Sequence, residues 1–181
     1  MTHRILIVLY ATLFLLACEP VGQSLEQPKS TAGRVPTQES WNPTIRINSV
    51  GHENVQARAA YSAQYEDPQE IVFIGAVQLD FFDSDGLHSS MLSADSGNID
   101  QKRNLFTARG NVVLESDSGM TLSTSILYWH ESNESIYTDK AIVFTSETDT
   151  LYGIGFESEA DLSNWTITQP TGVSYRKLED D

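Results

Sequence analysis

Apolar and polar side chains alternate one for one along much of this sequence. That period of two suits strands and little else. Val55, Ala57, Ala59, Tyr61, Ala63 and Tyr65 alternate with Gln56, Arg58, Ala60, Ser62 and Gln64. The alanines would also suit a helix, but strict alternation sustained this far favours a strand. Ile45 and Ile47 alternate likewise with Thr44, Arg46 and Asn48, and Pro68 ends the second run. "EIVFIGAVQLDFF" then puts Ile71, Phe73, Val77, Leu79 and Phe81 on one face. "DSDGL" follows as a tight turn, because Asp-Gly suits the positive φ of hairpins. Further short runs include "LHSSMLSAD", "NLFTARG", "NVVLES", "MTLSTSILYW", "SIYTD", "AIVFTS", "TLYGIGFES" and "NWTITQ". The connectors between them are short and rich in Asp, Asn, Ser and Gly. No convincing amphipathic helix follows residue 43. The pattern predicts an all-β domain: a sandwich, jelly roll or barrel.

An internal repeat narrows that choice. Residues 92–114 set over 122–144 align Leu92 with Leu122, Phe106 with Ile136, Val112 with Ile142, Val113 with Val143 and Leu114 with Phe144. A fainter copy upstream matches Gly75-Ala76-Val77 to Gly110-Asn111-Val112. Each unit reads as strand, turn, strand, turn, and one unit cannot bury its apolar face alone.

These residues resemble a known family. Gly110-Asn111-Val112, Leu122 with Thr124, Leu127 with Trp129, and Ile136-Tyr137-Thr138-Asp139-Lys140 look like the repeat of OstA-like periplasmic proteins. The similarity is greatest to the LptC family of lipopolysaccharide export, over residues 45–176. The resemblance implies a single twisted antiparallel β-jelly roll, open along one side, whose apolar interior shields lipopolysaccharide acyl chains. It also implies a transport component rather than an enzyme. Its edge strands would pair with an OstA-like periplasmic partner, and inner-membrane ABC transporter subunits would supply the lipid. An alternative is a structural or scaffolding β-sandwich lipoprotein with no lipid cargo.

The amino terminus departs from that family's usual transmembrane anchor. Residues 5–17 are almost wholly apolar after Arg4. As a helix they span roughly 20 Å, short of the ~30 Å bilayer core, which is the scale of a secretory signal. Leu15-Leu16-Ala17-Cys18 resembles the bacterial lipobox, with Cys18 the sole cysteine and hence the lipidation site. Several acyl chains make a stable anchor where one holds only marginally. Residues 1–17 are therefore expected to be a signal peptide. Residues 18–43, with four prolines, read as a lipidated, flexible tether. A β-domain over 44–177 and an acidic tail at 178–181 complete the chain. The expected location is the periplasmic face of the inner membrane, although Glu19 is not the aspartate commonly linked with retention there.

Composition narrows the function classes. Eleven basic against 25 acidic residues give a net charge of −14, which argues against nucleic acid. With one cysteine, no intrachain disulfide is possible. His52, His88 and His130 lack metal-ligand spacing, so neither a metal, a cofactor nor a catalytic set is expected. Carboxylates at Asp83, Asp85, Glu157 and Glu159 suit turns. The candidate lipid-binding face is Phe73, Val77, Leu79, Phe81, Val112, Leu114, Leu122, Ile126, Ile142, Phe144 and Phe156. Period two identifies the apolar face but not whether it is filled or open. Ile45 and Ile47 near the start, and Trp165 and Ile167 near the end, are the candidate partner edges.

Overall fold

A computed structural model describes residues 33–49 and 52–171. Eleven strands form one antiparallel sheet: β1 Gln38–Trp41, β2 Thr44–Ser49, β3 His52–Arg58, β4 Tyr61–Glu66, β5 Gln69–Phe82, β6 His88–Asp100, β7 Leu105–Ser116, β8 Thr121–His130, β9 Ser135–Thr145, β10 Thr150–Glu159 and β11 Thr166–Thr171. From β4 to β11 every strand pairs with its sequence neighbour; β1 joins β4, and β2 joins β3, which joins β5. The sheet does not close: among the described residues β1, β2 and β11 each have one strand neighbour. This is the expected all-β jelly roll, open along one side.

One physical device turns this single sheet into two layers. The register slips by one residue at mid-strand across β5/β6, β6/β7, β7/β8, β8/β9 and β9/β10. The extra residue falls in every second strand, at Gly75-Ala76, Gly110-Asn111 and Asp139-Lys140. A β-bulge bends its strand and raises the local twist. A row of bulges therefore creases the sheet so that it folds back on itself. Gly110 and Asn111 sit at φ 77° and 45°, a region that favours glycine and tolerates asparagine. A Cβ at Gly110 would also collide with Asp95, while Asn111 Nδ2 donates to Asp95 Oδ2 at 2.8 Å.

Layer A holds β1, β4 and the strand halves on their side of the crease; layer B holds β2, β3 and the other halves. Ladders of inward side chains cross each layer. In layer B, cross-strand neighbours run Ala57, Leu79, Leu92, Leu114, Leu122 and Phe144. The layers meet through Phe81 against Trp129, ring centres 5.6 Å apart, and Phe144 against Phe156 at 5.4 Å. In layer A a Cβ at Gly97 would stand 2.7 Å from the Phe106 ring, so glycine makes room for phenylalanine there. The repeat corresponds to stacked hairpins, β6–β7 over β8–β9, with the bulge just before Val77 and Val112 and one residue further from Ile142.

Three expectations change. Residues 38–41, within the expected tether, form β1, where Thr37 and Asn42 flank the ladder by donating to Gln64 O at 2.8 Å and Ala60 O at 2.9 Å. Four residues between prolines are too few for alternation to register. The run from Val55 to Tyr65 is two strands, broken at Ala59-Ala60 opposite the Gly75 bulge. Conversely, "NLFTARG" and "NVVLES" are one strand, as are "SIYTD" and "AIVFTS". Their central residues mark bends inside strands rather than turns between them. The signal peptide, Cys18 and the acidic tail lie outside the described residues.

Candidate functional site

The expected inward face comes together. Phe73, Val77, Leu79, Phe81, Val112, Leu114, Leu122, Ile142, Phe144 and Phe156 all belong to one buried core, each 3% exposed or less. Ile126 stands apart. It is half-buried, lies outside that core beside the crease, and accepts a hydrogen bond at its carbonyl from Thr138 Oγ1 at 2.6 Å. The register slip after Thr124 takes it off the ladder. The layers are closed on each other, so this apolar face is filled by its own side chains.

A concavity of 380 Å³ opens between β1 and β4 of layer A and β2 of layer B at the amino-terminal border; the layers also part along the border opposite the crease. A cavity of 440 Å³ opens there between the β5–β6 turn, the β8–β9 turn and the β10–β11 loop. Its floor is apolar: Val55, Phe81 and Trp129, each 3% exposed or less. Trp129 Nε1 is buried with no hydrogen-bond partner among the described residues, which leaves a donor unsatisfied. Acidic side chains ring the opening. Asp83 Oδ1 accepts the N–H groups of Asp85 and Leu87 at 2.9 Å. Glu159 accepts from Asn164 Nδ2 at 2.7 Å, and Asp161 from the N–H of Ser163 at 2.8 Å. The adjoining loop plugs the core with Leu162, which is fully buried at φ 65°; Ser90 Oγ of layer B holds this loop at Ala160 O, 2.7 Å away.

Another concavity, a furrow of 780 Å³, runs across the outer face of β7–β11. Val143, Tyr152 and Ile154 line it at 36%, 51% and 46% exposure. Period two marks the inward face as the apolar side of each ladder. The apolar outer stretch was missed, although "AIV" and "LYGIG" are apolar on both faces of the period.

The borders are as follows. Ile45 and Ile47 lie on β2 and Ile167 on β11, both edge strands, as expected. Trp165 precedes β11 and packs on Phe144 at 4.9 Å instead of extending the edge. Pro170 orders the hydrogen bonds of β11. Proline cannot donate, so Gly153–Pro170 is a pair that exchanges no hydrogen bonds. The bonds then belong to Tyr152–Thr171 and Ile154–Gln169 and, by alternation, to Phe156–Ile167. Thr166, Thr168 and Pro170 therefore turn their backbone groups outward.

Outside these features, several titratable groups among the described residues pair with neighbouring side chains. Asp80 is buried on the outer face of β5, paired with Arg58 and accepting from Gln78 Nε2 at 3.0 Å. His88 Nδ1 lies 2.9 Å from Asp117 Oδ2. At the bulge of β9, Lys140 hydrogen-bonds Asp139 and holds its carboxyl below the usual range. Among the described residues no group of three or more His, Cys, Asp or Glu side chains could hold a metal ion. Nor is any helix there long and apolar enough to cross a membrane.

The family model described as "Lipopolysaccharide-assembly, LptC-related" matches residues 4–175. No curated protein matches the sequence.

Proposed function

The chain belongs to the LptC-related family of lipopolysaccharide assembly, a family of transport components, and from that premise we propose that it carries lipopolysaccharide acyl chains between its two layers. In this reading it is a membrane-anchored periplasmic bridge. It receives lipid from an inner-membrane ABC transporter and passes it to an OstA-like partner added at a free sheet edge. The observation that carries the reading is the creased open sheet, with a continuous apolar face inside and unpaired borders. Hydrocarbon entering between the layers gains ~0.8 kcal/mol per methylene removed from water. It displaces contacts that the closed core makes with itself, so net affinity stays modest. That suits a conduit that must also release. Cys18 supplies the anchor, and the acidic excess disfavours a tight grip on phosphates.

A photoreactive residue at Leu79 tests the cargo: an adduct with lipopolysaccharide supports transport between the layers. Replacing Cys18 by Ser tests the anchor: the variant should leave the membrane fraction and lose acyl labelling, and unchanged labelling would exclude lipidation there.

The second reading is a scaffolding β-sandwich without cargo, and the closed core favours it. A blank at Leu79, with partner pairing intact, would decide for the scaffold.

A further inference from the structure

We infer that the 440 Å³ mouth between the layers selects amphiphiles that present positive charge beside their hydrocarbon: an amine-bearing lipid, or an anionic lipid that arrives with a divalent cation. The inference rests on the lipid-carrying reading for where hydrocarbon enters, and it names the class of headgroup this entrance accepts.

Three independent features of the mouth converge. Its floor of Val55, Phe81 and Trp129 is apolar and continuous with the core, so hydrocarbon gains burial there. Trp129 Nε1–H is buried without an acceptor among the described residues. A carbonyl next to an acyl chain, as in an ester or amide, would supply that acceptor and relieve the unmet desolvation cost. Its rim carries Asp83, Glu134, Glu159 and Asp161, while no lysine, arginine or histidine lines it. Asp83, Glu159 and Asp161 accept from neutral N–H donors, which leave the negative charge in place. A cleft lined by one sign of charge over a low-dielectric floor focuses potential on whatever enters. A bare phosphate monoester would meet repulsion, and a cation attraction. The carboxylates do not converge on a metal position, so the rim acts through its field, whether the positive charge is an amine or an ion brought by the lipid's own phosphate.

The test uses the full chain with Trp41→Phe and Trp165→Phe, which leaves Trp129 as the sole indole. Its emission is titrated in low salt with three probes of one chain length below their micellar concentrations: dodecylamine, dodecyl maltoside and dodecyl phosphate. The expected result is saturable binding of dodecylamine at least tenfold tighter than dodecyl phosphate, with the maltoside between. The triple change Glu134→Gln, Glu159→Gln, Asp161→Asn should shrink that preference to twofold or less and leave maltoside binding unchanged. A control, Glu66→Gln, Asp67→Asn, Glu147→Gln, removes the same charge from residues that do not line the mouth, and should keep the tenfold preference. Added magnesium separates the two sources. If it raises dodecyl phosphate to the level of the amine, a bridging ion serves; if it does not, the positive charge belongs to the lipid. Equal binding of amine and phosphate without magnesium overturns the inference. So does the absence of a saturable response to dodecylamine, or a control triple that erases the preference as fully as the rim triple. None of these outcomes uses lipopolysaccharide. A blank at Leu79 alongside intact charge selection would therefore sink the transport reading while leaving the mouth's preference standing.

Discussion

The two borders of the sheet are built differently. At the amino-terminal border the edge is split: β1, four residues long, finishes layer A, and β2, six residues long, finishes layer B. At the carboxy-terminal border one strand, β11, crosses the crease and finishes both layers. An added strand can follow β11 from one layer to the other, whereas at the opposite border it can extend only one layer at a time. Pro170 then gives β11 a direction. The outward donors Thr166 and Thr168 lie at its layer A end, and the proline withholds one at its layer B end. In the bridging reading, a partner strand should therefore register on the layer A end of β11.

Four substitutions probe this contrast. The largest effect is expected from Ile167→Pro. Its N–H faces Phe156, so the change should cost about 3 kcal/mol and loosen β11. Denaturant unfolding reads this, and a change below ~1 kcal/mol would mean the alternation is assigned backwards. Next comes Gly153→Ala. An added Cβ would collide with Ile167 and stand 2.9 Å from Gln169 O, which predicts a loss of about 1–3 kcal/mol. Thr168→Pro should leave stability within about 1 kcal/mol yet lower recovery of an edge-pairing partner, because it removes only an outward donor. Full recovery would move the pairing edge elsewhere.

The smallest effect belongs to the other border. Tyr61 on β4 donates to Glu39 on β1 and packs edge-on against Trp41 at 5.6 Å. Burial and then the Glu39 hydrogen bond push the phenol up to about 12. A folded value above the unfolded one, about 10, means this tie is intact below pH 10 and is lost as pH rises toward 12. The emission of Trp41, isolated by changing the other two tryptophans to Phe, should shift over that window. In Tyr61→Phe the shift should vanish; its persistence would assign the transition to another group.

Much of this architecture was legible in the residues, for reasons that also explain what was not. Phe73, Leu79, Leu114 and Phe144 declared their common face because pleating makes period two a direct record of which side is apolar. Ile126 was misplaced because a one-residue register slip inverts the faces beyond it, and nothing in "STSILYW" marks the slip. Gly110-Asn111 could have marked it: glycine inside a strand signals a bulge, yet beside Arg109 it reads equally as a turn. Ile45, Ile47 and Ile167 lie on edge strands, since first and last strands of a meander tend to lie at its borders; whether a partner pairs there is what Thr168→Pro tests. The mouth was not foreseeable. Val55 and Phe81 are cross-strand partners in layer B, Trp129 and Glu159 lie in layer A, and only the fold along the crease brings the two pairs to one opening. Trp129 was visible as part of a repeated phrase, but not as a buried donor without an acceptor.

In the proposed reading, lipid chains lie between the layers and not on the outer furrow. The direct measurement places a photoreactive residue at Leu114, inside, or at Val143, outside, in the full-length protein while lipopolysaccharide is being exported. Lipopolysaccharide adducts are expected at Leu114, with few at Val143. Adducts at Val143 with none at Leu114 would contradict this reading and move the lipid path to the outer face of the sheet.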